Sequence, residues 1–254
     1  MSPGRVVFVG AGPGAADLIT LRGARWLAEA DVVLHDALTD PALRDFAPRA
    51  RWVDVGKRGF CDSTGQATID AMLVRYASTH RVVVRLKGGD PGIFGRLEEE
   101  LGALARHGIA CEVVPGVTAA IAAAATTQRP LTRRGSGRSV ALTTAMTREG
   151  VPHAARSADT EVFYMAGRQL PALARRLRAA GWDADAPVLV VSRAGWPDAI
   201  ASDHVVATLA EAALLHTGRP TVVTVGAGAR PVAAAATKAL PDAVPTPGRK
   251  TPTP

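Results

Sequence analysis

The chain predicts an α/β fold, and three observations predict it. Short β-branched runs alternate with helix-length segments. Glycine turns stand just after several of those runs, where open parallel sheets take their ligands. Apolar residues make up 47% of 254 residues, enough to fill cores on both faces of a sheet. In order, residues 5–10 read as a strand and 10–14 as a glycine turn, with a helix over 18–29. A second strand covers 31–35 and exits at Asp36, and residues 37–48 read as helical and solvent-facing. A short strand at 52–55 ends in GKRG, and 66–79 has helical periodicity with Ile69, Leu73 and Tyr76 inward. The run RVVVRL (81–86) is a buried strand, 97–107 a helix closed by Gly108, and 109–114 another strand.

Pro115-Gly116 marks the expected domain boundary, giving units over 1–115 and 116–240. The small apolar stretch VTAAIAAAATT (117–127) reads as a helix packed close against a sheet. RPLTRRGSGRS (129–139) reads as a basic loop. Further strands are expected near 140–144, 160–165, 187–192 and 221–225, with helices over 170–180 and 209–215. The proline-rich end, 241–254, lacks apolar periodicity and reads as disordered.

Charge and cysteine content narrow the function. The net charge is +7, of which Lys238, Arg249 and Lys250 against Asp242 place +2 at the end of the chain. That balance favours an acidic partner, either nucleic acid or a small polycarboxylate. Aromatics at 4% argue against a base-stacking surface. Cys61 and Cys111 form no C-x-x-C pair, so a reducing cytoplasm is the simplest expectation. No apolar run approaches the ~18 residues of a membrane span. The opening MSPGRVVFVGAG reads as a strand, not a signal peptide. The six histidines show no close ligand spacing, so no metal is expected. Neither a G-x-S-x-G elbow nor a P-loop occurs.

The chemistry concentrates in KGGDPGIFGR (87–96). Gly88 and Gly89 let backbone approach a ligand, and Asp90 offers a carboxylate at the sheet mouth. Asp90 reads equally as an N-cap for a helix starting near Ile93. Upstream, Gly10, Gly12 and Ala15 satisfy a permissive dinucleotide fingerprint, with Asp36 at a fitting distance for a ribose. Pro13 weakens that alternative, because it has no N–H to give a pyrophosphate.

KGGDPGIFGR resembles the glycine-rich signature of the uroporphyrinogen-III C-methyltransferases, within the tetrapyrrole methylase family. VGAGPG (9–14), ITLRG (19–23), ADVVLHD (30–36), VGKR (55–58), VVPGVTAA (113–120), RPLTRR (129–134) and FYMAG (163–167) follow the same order. The resemblance covers roughly residues 6–226. It implies two α/β domains with the active site in the cleft between them. It also implies a homodimer and S-adenosylmethionine as donor. The donor contacts carried over are Pro13, Gly88, Gly89, Asp90, Ile93, Thr118, Ala119, Met165 and Ala194.

The implied reaction adds methyl groups to two ring carbons of uroporphyrinogen III, giving precorrin-2 for cobalamin or sirohaem synthesis. Asp36 is the expected base and Lys57 the expected acid. Arg58, Arg129, Arg133, Arg134 and Arg138 are the expected partners for the substrate's carboxylates, gathered at the interdomain cleft. Neither nucleic acid nor membrane is an expected partner on this reading. The departures at Gly92, Leu97, Arg133 and Met146 fall on the substrate side. They keep four alternatives open: another precorrin, a diphthamide precursor or ribosomal RNA as acceptor, and a binding module without catalysis.

Overall fold

The computed structural model describes residues 4–56, 65–146 and 152–232. The expected acid Lys57, its neighbour Arg58, and the proline-rich stretch 241–254 lie outside the described residues. Two five-stranded sheets organise the described chain.

The first sheet has the order β3-β2-β4-β1-β5 and is wholly parallel. Its strands are β1 (Arg5–Gly10), β2 (Val32–His35), β3 (Arg51–Asp54), β4 (Val82–Lys87) and β5 (Cys111–Val114). Both faces are covered, which explains the unbroken apolar runs over residues 6–9 of β1 and 82–84 of β4. On one face Phe8, Leu34 and Val83 pack against Leu73 of α2 (Gln66–Thr79) and Leu104 of α3 (Leu97–Arg106). On the other, Val7, Val33, Val84 and Leu86 pack against Leu27 of α1 (Leu21–Glu29) and Leu43. Each such fully buried leucine contributes about 1.5–3 kcal/mol. Because all five strands run one way, Gly10, His35, Asp54, Lys87 and Val114 end at one edge.

The second sheet has the order β6-β7-β10-β8-β9 and is mixed. Its strands are β6 (Val140–Thr144), β7 (Thr160–Tyr164), β8 (Pro187–Ser192), β9 (Ile200–Val205) and β10 (Thr221–Gly226). Strands β6 and β7 pair parallel, and β10 pairs antiparallel with both β7 and β8. It follows that β6, β7 and β8 end at one edge and β10 ends at the opposite one. One face packs Phe163, Val190 and Val223 on Leu173 and Leu177 of α5 (Leu170–Ala179). The other receives α4 (Ala119–Thr126), whose Ala120, Ala122 and Ala123 meet Val162, Val191 and Val222. Alanine is short enough to bring that helix close to the sheet, as the sequence predicts.

Several elements differ from expectation, each for a local reason. Residues 37–48 form only a 3-10 turn at Pro41–Phe46, because Pro41 takes the first position and Asp40 caps Ala42 at 2.9 Å. The helix expected over 18–29 begins at Leu21, where the Thr20 hydroxyl accepts from Gly23 N at 3.1 Å. Tyr76 packs half-buried on the same core as Ile69 and Leu73, and Ala77 beside it is fully buried. The segment expected as a helix over 209–215 is 3-10 at Val206–Ala212 and α at α6 (Ala213–His216). Strand β9 is absent from the sequence reading. It is an edge strand whose half-buried face includes Ser202 and His204, so no apolar alternation announces it.

Candidate active site

Four turns meet where the ends of the two sheets face each other. Gly89 N–H donates to Gly12 O at 2.7 Å, and Gly12 N–H returns a bond to Gly89 O at 3.3 Å. Gly10 lies against the turn after β5; a Cβ there would stand 2.5 Å from Gly116 Cα. Gly14 reaches the second sheet; its Cβ would stand 2.5 Å from Gly195 O, and Ala15 N–H donates to that same oxygen at 2.7 Å. The glycines at 10, 12 and 14 are therefore demanded by chain packing, not by a pyrophosphate. The first full α-helix starts only at Leu21, so no helix N-terminus follows the glycines directly. The dinucleotide alternative loses its physical basis on both counts.

Gly88 behaves differently. Its φ is not left-handed, and a Cβ built on it meets only Leu38 Cβ at 3.6 Å, an ordinary contact. Nothing in the described chain requires a bare backbone there. A bare backbone beside open space fits a ligand that approaches closely, as the expected donor would. Gly89 is needed on backbone grounds, with φ +70°, and the space about it is also open, its nearest neighbour being Thr118 Cα at 3.9 Å.

Asp90 does not cap α3, which starts at Leu97. Its Oδ1 accepts from Gly92 N and its Oδ2 from Gly116 N, both at 2.8 Å, so it staples the two turns together. Neither of the roles expected of Asp90 describes this structural work.

The rim carries strained backbone. Phe94 (φ 51°), Arg96 (55°), Met165 (57°) and Arg193 (52°) are left-handed without being glycine. Such conformations cost on the order of 1–3 kcal/mol each and cluster at ligand sites. Phe94 and Met165 are apolar yet 41% exposed. The Phe94 ring lies 5.1 Å from that of Tyr164, whose hydroxyl meets the Thr118 hydroxyl at 2.8 Å. Burial pushes the Tyr164 pKa up, only partly offset by its hydrogen bond to Thr118. Ile93 and Ala119 pack on the same cluster, while Ala194 lies under the turn after β8 beside Ala122 and Ala123. Pro13 lies against Gly195, with its Cγ 2.9 Å from where a Cβ would sit.

Asp36, leaving β2, has its carboxylate at this edge. Its Oδ1 takes a bond from Arg85 at 2.6 Å, and its Oδ2 lies 3.3 Å from Gly88 N. Behind it, the Arg85 Nε donates to Glu100 at 3.0 Å, and Lys87 Nζ to the other Glu100 oxygen at 2.7 Å. Arg85, Lys87 and Glu100 are buried, whereas the Asp36 side chain is 32% exposed. Burial opposes the Arg85 charge, but Asp36 and Glu100 outweigh it and its pKa rises. At Lys87 burial and then Arg85 prevail over Glu100, and its pKa falls. Removing one partner from such a buried set costs about 3–5 kcal/mol.

Arg85, Glu100, Tyr164 and Leu38 are absent from the sequence reading. One signal for the first was present: two cations at alternate positions in VVVRLK, on the face that α3 covers. Glu100 sits in a run of three glutamates, with nothing to mark which one turns inward.

The basic loop is tied into the second unit. Arg129 pairs with Asp203 and donates to Ala229 O at 2.8 Å. Arg133 donates to the carbonyls of Arg230 and Pro231, and Arg138 N to Asp159 at 2.8 Å. Asp203 lies within β9, whereas Asp159 stands by the start of β7 and Ala229, Arg230 and Pro231 follow the end of β10, the edge opposite Met165 and Ala194. Exposed Arg134 belongs to the same hairpin, which the Arg133–Gly137 bridge closes. Carbonyls and aspartates of the second unit hold Arg129, Arg133 and the Arg138 backbone, while Leu131 of the same loop packs on the Tyr164 cluster. Arg133→Glu should accordingly leave the KM for a polycarboxylate acceptor unchanged; a steep rise in that KM would return the loop to the site.

Comparison with known proteins gives this geometry its family. The model of the tetrapyrrole (corrin/porphyrin) methylases matches residues 5–213. A uroporphyrinogen-III C-methyltransferase of Pseudomonas aeruginosa is 47% identical over 195 residues, covering 75% of this chain and 80% of that protein. A siroheme synthase of Neisseria meningitidis is 43% identical over 216 residues, covering 83% of this chain but 45% of that longer protein. In structure, the chain is similar to a uroporphyrin-III C-methyl transferase of Thermus thermophilus complexed with S-adenyl homocysteine. That match has a TM-score of 0.77 and 38% identity, and covers 88% and 97% of the two chains. By sequence, by fold and by the turns that frame its cleft, the chain belongs to the tetrapyrrole methylases.

Proposed function

We propose that the protein is an S-adenosylmethionine-dependent C-methyltransferase that methylates two ring carbons of uroporphyrinogen III to give precorrin-2. One observation carries this reading. Gly88 lacks a side chain where no neighbour crowds it, and the Asp36 carboxylate stands 3.3 Å from its N–H. A donor site and a proton acceptor thus share one turn.

The donor, when bound, supplies an already activated methyl group. The chain's part is to hold donor and acceptor in line. We assign the donor contacts to Pro13, Gly88, Gly89, Asp90, Ile93, Thr118, Ala119, Met165 and Ala194. Strapped turns and small side chains suit that task, because they fix a bound molecule at little entropic cost. The methylated ring carbon carries no hydrogen, so Asp36 accepts the proton that the tetrapyrrole loses elsewhere as each methyl is attached, and Lys57 serves as the acid where a further proton is relocated within the ring. Arg58 offers a cation to the acceptor's carboxylates beside it. The chain divides into units over 1–115 and 116–240, a division supported by the separate core of each sheet.

The working form on this reading is a homodimer. An apolar groove of about 430 Å³ begins at Thr118 of the site and runs along α4 and the edge strand β6, between Ile121, Leu131, Val140 and Leu142. Ile121 is 53% exposed, and a bare strand edge beside an apolar groove is a liability that a second copy would cover. Sedimentation equilibrium should give twice the chain mass; a monomer at micromolar concentration would remove the dimer. The catalytic reading itself is tested by calorimetric titration. S-adenosylmethionine should bind the wild-type protein and NADH should not, and the reverse order would revive a dinucleotide site.

A further inference from the structure

We infer that Arg85, clamped from behind by Glu100, is a positioning residue that sets the Asp36 carboxylate against the donor turn. The inference rests on the reading of Asp36 as the base. Its ground is the shape of the buried set. Arg85 Nε is held by Glu100 at 3.0 Å, and its Nη1 points at the carbonyls of Leu86 (3.2 Å) and Leu34 (3.5 Å). Only Nη2 reaches outward, to Asp36 Oδ1 at 2.6 Å. The guanidinium is planar and rigid, so fixing three of its sides fixes the fourth. Asp36 is thereby turned so that its second oxygen stands by Gly88 N–H.

The set is also balanced in charge. Two cations, Arg85 and Lys87, face two carboxylates, Asp36 and Glu100, and only Asp36 touches solvent appreciably. The described titratable groups about Asp36 include Arg85 and Lys87 on β4, Glu100 on α3, His35 on β2, and Asp54 at the end of the neighbouring β3. The Nδ1 of His35 lies 3.2 Å from the Asp36 carbonyl. Lys87 bonds to Glu100, which therefore holds a second cation beside the Arg85 that it shares with Asp36.

The experiment is single-turnover methylation of uroporphyrinogen III at saturating donor, with the acceptor KM read alongside, for three variants. Arg85→Met leaves Lys87 and Glu100 paired and fills the space with an unbranched apolar chain. It should lower the rate roughly tenfold to a hundredfold, the scale of a misplaced catalytic group, with donor affinity and acceptor KM unchanged. Glu100→Gln keeps the shape and an oxygen that can accept from Arg85, so its rate should fall only a few-fold. A loss confined to the chemical step, and largely spared by the variant that keeps the clamp, is not a consequence of loosened structure. A wild-type rate in folded Arg85→Met, or a loss confined to donor affinity, would overturn the positioning role. If Arg85→Met does not fold, Arg85→Lys takes its place with the same two outcomes. Asp36→Asn is run alongside: full activity there would overturn the base itself, whereas its inactivity with a wild-type rate in the Arg85 variant would overturn only Arg85.

Discussion

Asp36→Asn should lower the single-turnover rate of methylation by about 10²–10⁴-fold, the usual worth of a positioned acid–base group. Donor affinity should hold. The amide keeps the shape of the carboxylate and can still accept one bond from Arg85. What it loses is the ability to take a proton. A general base needs its oxygen within reach of the reacting atom, and the carboxylate stands at the sheet edge beside the Gly88 turn. A loss confined to donor affinity would instead make Asp36 a ligand of the donor, the role a ribose-binding aspartate would have.

Gly88→Val should abolish or severely weaken donor binding while leaving the fold in place. The new Cβ meets Leu38 Cβ at 3.6 Å, which the chain tolerates. Its methyls would instead enter the space beside the turn. Overpacking of that kind costs about 1–3 kcal/mol, which is roughly tenfold to a hundredfold in Kd. Gly89 is the poorer probe. With φ at +70°, a valine there is strained whether or not a ligand comes near, so lost binding would have two explanations. Calorimetric titration with circular dichroism on the same sample separates the cases. Unchanged affinity in a folded Gly88→Val protein would take this turn out of the donor site.

The sequence made the skeleton of this protein legible because its first sheet is parallel and covered on both faces. Runs such as RVVFVG and RVVVRL have no other stable use, and the glycines that follow them mark where each strand ends. The donor turn was readable for the same reason: KGGDP sits at the carboxyl end of β4. What the sequence could not convey was partnership. Asp36 reads as a strand exit, and nothing local says that Arg85 will meet it across 49 positions. Asp90 reads as a cap or a ligand, and only the folded chain brings Gly116 N to it. The basic loop shows the same limit, because a run of arginines looks the same whether it faces a substrate or holds a chain end. Arg133 bonds to carbonyls 97 and 98 positions away, a closure that nothing local announces. Strand β9 escaped because edge position and polar contacts erase the alternation by which strands are recognised.

The central claim is transfer of methyl groups from S-adenosylmethionine to uroporphyrinogen III. Mass analysis of the tetrapyrrole after anaerobic incubation with protein and methyl-labelled donor tests it most directly. The account predicts that the acceptor gains two labelled methyl groups on ring carbons, with one S-adenosylhomocysteine released for each. An acceptor of unchanged mass, recovered from a protein that has bound the donor, would contradict it.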